Sequence, residues 1–194
     1  MNSFTVENIK DFNLDHIFDC GQCFRWNKEA DGSYTGIAMG RKVNMQFASG
    51  AQRPGVGGAD PDSESPQRPG ALTITPCTER EFQEIWRPYL DLDRDYGKIK
   101  ETLCAEDPIM KKAADFGYGI RLLDQDLWET IVSFIISQNN NIPRIKGCIE
   151  RLCAAAGEPI DLKGEPAYEI PGPEALARLG EADLAEVRLG YSIP

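Results

Sequence analysis

Hydrophobic and polar positions alternate along the first third of the chain and then change period. The runs 24–27, 33–39, 42–47 and 71–75 are short and rich in aromatic and β-branched residues, with turn pairs such as Asp31-Gly32 and Gly40-Arg41 between them. The short gaps favour antiparallel neighbours, because a parallel crossover takes about a dozen residues or more. From Thr78 the apolar positions recur at helical spacing. Thr78 and Glu81 stand three apart, as in a capping box, and predict a helix through Tyr89. Further helices are predicted over 94–105, 107–116, 125–138, 142–156, 173–179 and 182–189. Asp107-Pro108 marks one start, Asn141 two residues before Pro143 marks another, and Gly157 closes the helix that Asn141 opens. Residues 125–138 are apolar nearly all round, which predicts a helix buried at the centre.

The pattern defines an α+β chain, with a small antiparallel sheet in residues 1–90 and a helical domain in 91–194. The segment Ala48–Ala71 belongs to neither. It holds five Gly and four Pro in 24 residues, with Val56 as its only large apolar side chain. Such a composition does not offset its ordering entropy and predicts a flexible insertion between two strands.

Length and charge narrow the function. The 194 residues allow one full-sized domain or two small ones. No apolar run approaches the ~18 residues of a membrane span, and the start lacks a basic stretch followed by an apolar block. A soluble protein of the cytoplasm (with the nucleoid) or the nucleus is expected, not a secreted one. The net charge of −10 excludes a surface that grips phosphates all over, because that affinity comes from Lys and Arg. The charge is uneven, however. Residues 138–151 carry Arg144, Lys146 and Arg151 against Glu150 alone, whereas 157–187 carry Lys163 and Arg178 against eight acids.

Six cysteines in a chain of this size do not form a secreted disulfide framework, and Cys148 and Cys153 fall on a predicted helix as small apolar residues. Cys20-Gly-Gln-Cys23 has the spacing of a thiol redox pair, but that chemistry needs a helix starting at the first Cys, and a strand follows here. His16 is the only histidine and no second cysteine pair follows at ligand spacing, so neither a metal nor another cofactor is expected.

The sharpest motif is Ser137-Gln-Asn-Asn-Asn-Ile-Pro-Arg144. Three asparagines between two helices, with an arginine a turn later, gather amide donors and acceptors at one corner. Such a corner suits the polar edge of a base that has lost its partner. On residue chemistry alone, helix capping explains the asparagines at least as well.

The stretch 133–157 resembles the core signature of the 8-oxoguanine DNA glycosylases, within the helix-hairpin-helix glycosylase superfamily. Cys20-Gly-Gln-Cys-Phe-Arg-Trp26 resembles that family's Gly-Gln-Ser/Cys-Phe-Arg-Trp strand, and Leu189-Gly-Tyr191 resembles its Leu-Gly-Tyr-Arg turn. The three motifs occur in the family's order. The resemblance implies double-stranded DNA containing oxidised guanine as partner, and base-excision repair as function. It implies that Gly21 offers its carbonyl to the N7 proton that oxidised guanine has and guanine lacks. Asn139 would enter the gap left by the flipped nucleotide, Arg144 would bond the widowed cytosine, and Tyr191 would wedge against the stack.

The resemblance also implies a hairpin, a nucleophilic lysine and an assisting aspartate after the Leu-Gly-Tyr turn. Here Ser192, Ile193 and Pro194 follow, and Ser192 stands where a second cytosine-binding arginine is expected. The expectation is a monomeric glycosylase with AP-lyase activity by family, truncated before its hairpin and catalytic residues and inactive in this form. The alkylated-base glycosylases of the same superfamily, or a non-catalytic DNA-binding remnant, are the alternatives. Missing helices would also leave apolar faces of 125–138 and 142–156 uncovered, which favours aggregation.

Overall fold

The computed structural model describes residues 2–49, 69–160 and 166–189. It contains a five-stranded sheet in the order β1-β5-β4-β3-β2, formed by β1 (Phe4–Ile9), β2 (Trp26–Lys28), β3 (Tyr34–Ala38), β4 (Arg41–Ser49) and β5 (Gly70–Thr75). The four strands anticipated from the alternation are present. Edge strand β1 was not anticipated. It pairs antiparallel with β5, Phe4 opposite Ile74 and Val6 opposite Leu72, and its register shifts between Val6 and Ile9. Asn8 lies in that irregularity with φ 64°, and Glu7-Asn8 blurs the strand's period of two. Strands β4 and β5 pair antiparallel from Asn44–Thr75 to Ser49–Gly70, the last pair flanking the Gly/Pro-rich segment, whose residues 50–68 lie outside the described ones.

Thr78 opens its helix through the capping box that the sequence predicts: Glu81 N–H donates to Thr78 Oγ1 at 3.2 Å, and Thr78 N–H to Glu81 Oε2 at 2.9 Å. The helix that follows is not uniform. Short α2 (Glu79–Glu81) passes into a π-helical turn, Phe82–Trp86, and then α3 (Arg87–Tyr89). The wider turn places both Phe82 and Trp86 in the core. The remaining helices are α4 (Tyr96–Cys104), α5 (Pro108–Phe116), α6 (Leu127–Ser137), α7 (Ile142–Ala156), α8 (Pro173–Leu176) and α9 (Glu181–Val187), each inside or within a residue of its predicted span. One-turn helix α1 (Leu14–Phe18), too short to show a period, was not anticipated; Asn13 caps it and Leu14, Ile17 and Phe18 are buried.

Two compact units divide the chain, and the division does not follow the expected boundary at residue 90. The first comprises 1–20, 28–34 and 44–124, and the second 21–27, 35–43 and 125–194. Within the first, the segment 91–124 is tied to the N-terminal residues by backbone carbonyls. The buried Arg121 donates to Asp11 O, Lys10 O and Asp91 O at 2.9, 2.9 and 2.6 Å, and Asn13 N–H donates to Gly119 O at 3.1 Å. Gly119 has φ +79°, and a Cβ there would stand 2.6 Å from Asn13 N. A Gly119→Ala substitution is expected to cost about 2–4 kcal/mol, combining left-handed strain with a backbone clash, as measured by urea unfolding.

In the second unit the core gathers Phe24, Val132, Ile136, Ile145, Cys148, Ile149, Leu152, Cys153 and Val187. Cys148 and Cys153 are fully buried free thiols, as small core residues, and the apolar face of α7 is covered. Of the two expectations for α6, burial at the centre is corrected, and an apolar face left uncovered is found among the described residues. Only Val132, Ser133 and Ile136 are buried, whereas Leu127, Phe134 and Ile135 are 73%, 65% and 56% exposed. Among the described residues α7 and Phe24 take up one face of α6, and an all-round apolar helix therefore presents its opposite face outward. Gly157 ends α7 for a reason other than the one expected. Its backbone is extended (φ −80°, ψ 152°), and a Cβ would meet Glu169 O at 2.1 Å, so close approach rather than a left-handed turn excludes a side chain. No helix among the described residues is long and apolar enough to cross a membrane.

Candidate nucleic-acid interface

The corner between α6 and α7 separates its three asparagines by task. Gln138 ends α6, and Asn139 follows in the left-handed region with φ 51°, a conformation that Asn tolerates better than most side chains. Asn140 Nδ2 donates to Ile136 O at 3.2 Å, serving an unpaired carbonyl at the end of α6. Asn141 caps α7, its Oδ1 accepting from Arg144 N–H at 3.1 Å, and its own N–H donates to Asn140 Oδ1 at 3.0 Å. Capping thus absorbs Asn140 and Asn141. It does not absorb Asn139, whose exposed side chain makes no hydrogen bond to the described residues, and the exposed Arg144 guanidinium makes none either. Asn139, Asn140, Asn141 and Arg144 together line one open concavity of about 370 Å³.

Gly21 lies in the same compact unit, outside that lining. It is exposed, has φ +87°, and a Cβ there would meet nothing within 4 Å. A side chain is excluded by conformation and not by space, and the peptide is open to an incoming group. Residues 20–25 are not helical, Cys20 is exposed and Cys23 buried, and both are free thiols, which removes the geometry of a redox pair. Tyr191 lies outside the described residues, as does Ser192.

Sequence reasoning singled out no role for Arg25, yet it organises this unit. Its side chain is 2% exposed and forms a two-pronged ion pair with Glu150 of α7, at 2.9 and 3.3 Å, while its Nη2 also donates to Tyr168 O at 2.7 Å. The available signal was a charged residue inside the continuous buried run 23–26. Lys146, one of the cations counted in 138–151, donates to Trp26 O and Asn27 Oδ1. Arg151 donates to Val187 O at 3.0 Å. Of the three cations near the corner, Arg144 is therefore the one left to face outward. Glu129, in the first turn of α6, sits in the same charged neighbourhood. Burial pushes its carboxyl up to about 7; Arg25 opposes the rise, and Asp126 and Glu150 add to it. The Cys153 thiol is pushed up to about 12, chiefly by burial.

With this geometry in place, known proteins give it a context. Residues 5–131 match the family described as 8-oxoguanine DNA glycosylase, N-terminal domain. The chain is 44% identical to MBOgg1, solved in complex with a low-affinity DNA ligand, with a TM-score of 0.81 over 99% of this chain and 59% of that one. It is 40% identical to the 8-oxoguanine glycosylase/lyase of Clostridium acetobutylicum, solved with double-stranded DNA containing cytosine opposite 8-oxoG, with a TM-score of 0.82 over 98% of this chain and 59% of that one. An N-glycosylase/DNA lyase of Arabidopsis thaliana is 27% identical over 178 residues, which cover 90% of this chain and 44% of the relative. The architecture is thus that of the glycosylase/lyases that act on oxidised guanine. The chain belongs to the 8-oxoguanine DNA glycosylase family, and it spans about half the length of these relatives.

Proposed function

We propose that these residues form the DNA-gripping and lesion-reading portion of a base-excision glycosylase with AP-lyase chemistry, which removes 8-oxoguanine from duplex DNA. The observation that carries this reading is the division of labour at the α6–α7 corner, where the side chains of Asn139 and Arg144 bond none of the described residues, beside two asparagines spent on capping. A rigid corner with uncommitted donors can replace the partner that a cytosine loses when its guanine is extruded. Arg144 donates to the ring nitrogen and carbonyl of that cytosine, and Asn139, held outward by its left-handed backbone, occupies the gap in the stack. Gly21 offers its carbonyl to the N7 proton of the oxidised base, a discrimination worth ~1–3 kcal/mol where the group is desolvated. Tyr191 completes the grip as a wedge on the opposite side of the flipped site. The reading assigns no nucleophile to the described residues. As a repair function it places the protein on chromosomal DNA, in a nucleoid or a nucleus, acting as a monomer and without a cofactor.

The test is binding of the 194-residue chain to fluorescent duplexes that carry 8-oxoguanine or guanine opposite cytosine. Tighter binding to the lesion duplex is expected. Arg144→Ala should weaken it about tenfold or more, the scale of a charge-assisted hydrogen bond to a base, and Asn139→Ala by less. Equal binding of both duplexes by the unaltered chain would remove the lesion-reading assignment.

A further inference from the structure

Gly21 has no side chain through which its own position could be held. Gly21 is the residue with the most backbone freedom, it is exposed, and nothing packs where a side chain would be. Yet a hydrogen bond from a base to its carbonyl weakens steeply once the distance passes about 3.2 Å, so the carbonyl's position decides its use. Two side chains from the helical part of the same unit bind the backbone of the segment that carries Gly21, and the segment's own Arg25 reaches back to that part. Gln125 Nε2 donates to Gln22 O at 2.6 Å, one residue from Gly21. Arg25 is fixed by Glu150 and by Tyr168 O, and Lys146 reaches Trp26 O. Their bases are firm. Gln125 directly precedes Asp126, whose carboxylate caps α6 by accepting from Glu129 N–H at 2.9 Å, while Lys146 and Glu150 belong to α7, which starts at the asparagine corner.

We infer that Gln125, assisted by Arg25 and Lys146, is a positioning residue that sets the Gly21 carbonyl relative to the α6–α7 corner, so that preference for the oxidised base depends on a side chain that touches no DNA. This rests on the reading of Gly21 given above. Gln125 is the decisive member because its bond lies next to Gly21, whereas those of Arg25 and Lys146 hold the more distant strand. The geometry also separates the two halves of recognition. Hold on the widowed cytosine and its gap comes from Arg144 and Asn139, and choice of the extruded base comes from a carbonyl held by Gln125.

Two measurements on the full 194-residue chain test this. The first is the ratio of affinities for duplexes with 8-oxoguanine and guanine opposite cytosine. The second is hydrogen exchange at the amides of 21–24. Gln125→Ala is expected to lower the ratio about fivefold and to speed that exchange about fivefold, the scale of one lost hydrogen bond, with affinity for the undamaged duplex unchanged. Isosteric Gln125→Glu, which keeps the shape but cannot donate to Gln22 O when ionised, should behave in the same way. An unchanged ratio with both variants overturns the inference. If the unaltered chain shows no lesion preference but both variants still speed exchange at 21–24, the tie stands and the role assigned to Gly21 falls. If the unaltered chain shows no lesion preference and the exchange does not respond either, both fall.

Discussion

Arg25→Ala is expected to lower the stability of the chain by about 3 kcal/mol in urea unfolding. The reasons are local. The guanidinium is almost wholly buried and serves Glu150 through two contacts and Tyr168 O through a third, joining the strand that follows Gly21 to α7 and to the short strand Ala167–Tyr168. Glu150 is 49% exposed and can return to water once its partner has gone. The Tyr168 carbonyl and the space left by the arginine have no such recourse, and they carry most of the loss. Arg25→Lys keeps the charge but cannot form the two-pronged pair and reach Tyr168 O together, so it should recover less than half of the stability. A loss below about 1 kcal/mol for the alanine variant would mean that the ion pair is incidental to the fold.

The second large effect is a dependence on pH that runs opposite to that of most carboxylates. Glu129 has its folded-state ionisation raised to about 7 from an ordinary value of 4.5, with burial as the main cause. A group raised in this way stabilises the fold fully below its unfolded value and stops doing so as pH rises through its folded one. Between pH 4.5 and 7 the contribution of Glu129 should therefore fall by about 2–3 kcal/mol, at 1.36 kcal/mol for each unit of separation. Glu129→Gln removes the titration and isolates it. Its melting temperature should match that of the unaltered chain near pH 4.5 and exceed it clearly at pH 8. Parallel curves for the two proteins across that range would contradict the assignment. Asp15, held low by Lys28 and Tyr34 against the opposing effect of burial, belongs to the other unit and gains stability with rising pH, which is why the difference between variants is the quantity to measure.

Local chemistry was legible in the sequence where it could be satisfied locally. Thr78 with Glu81, Asp107 before Pro108 and Asn141 before Pro143 each announced a helix start, and each performs the expected cap. Strands β2 to β5 showed themselves by alternation, with Val43 and Met45 buried between less buried neighbours. What stayed hidden depends on tertiary partners. The burial of α6 depends on what lies against each of its faces, and a helical wheel alone does not contain that. Lys146 counted in the sequence only as one of three cations, and its partner is a strand carbonyl 120 positions away. Arg121 is one tie between 91–124 and the N-terminal residues, and the carbonyls it donates to belong to any sequence, so they gave a reader of sequence nothing to match; the Lys100–Asp11 ion pair, 89 positions apart, was equally out of sight. At the site itself the asparagines were visible as a cluster. Their separation into two that cap and one that projects is a matter of backbone dihedral angles.

The ladder between β4 and β5 carries an evolutionary corollary. Because its rungs continue to Ser49 opposite Gly70, strand register is settled by the sheet itself and owes nothing to the sequence threaded between those two residues. Closing a longer span adds only about 0.6 kcal/mol for every doubling of its length. The position is consequently a tolerant splice point, where lineages can drift in length and where a purification handle or a reporter peptide could be housed without disturbing the hydrogen-bonded frame.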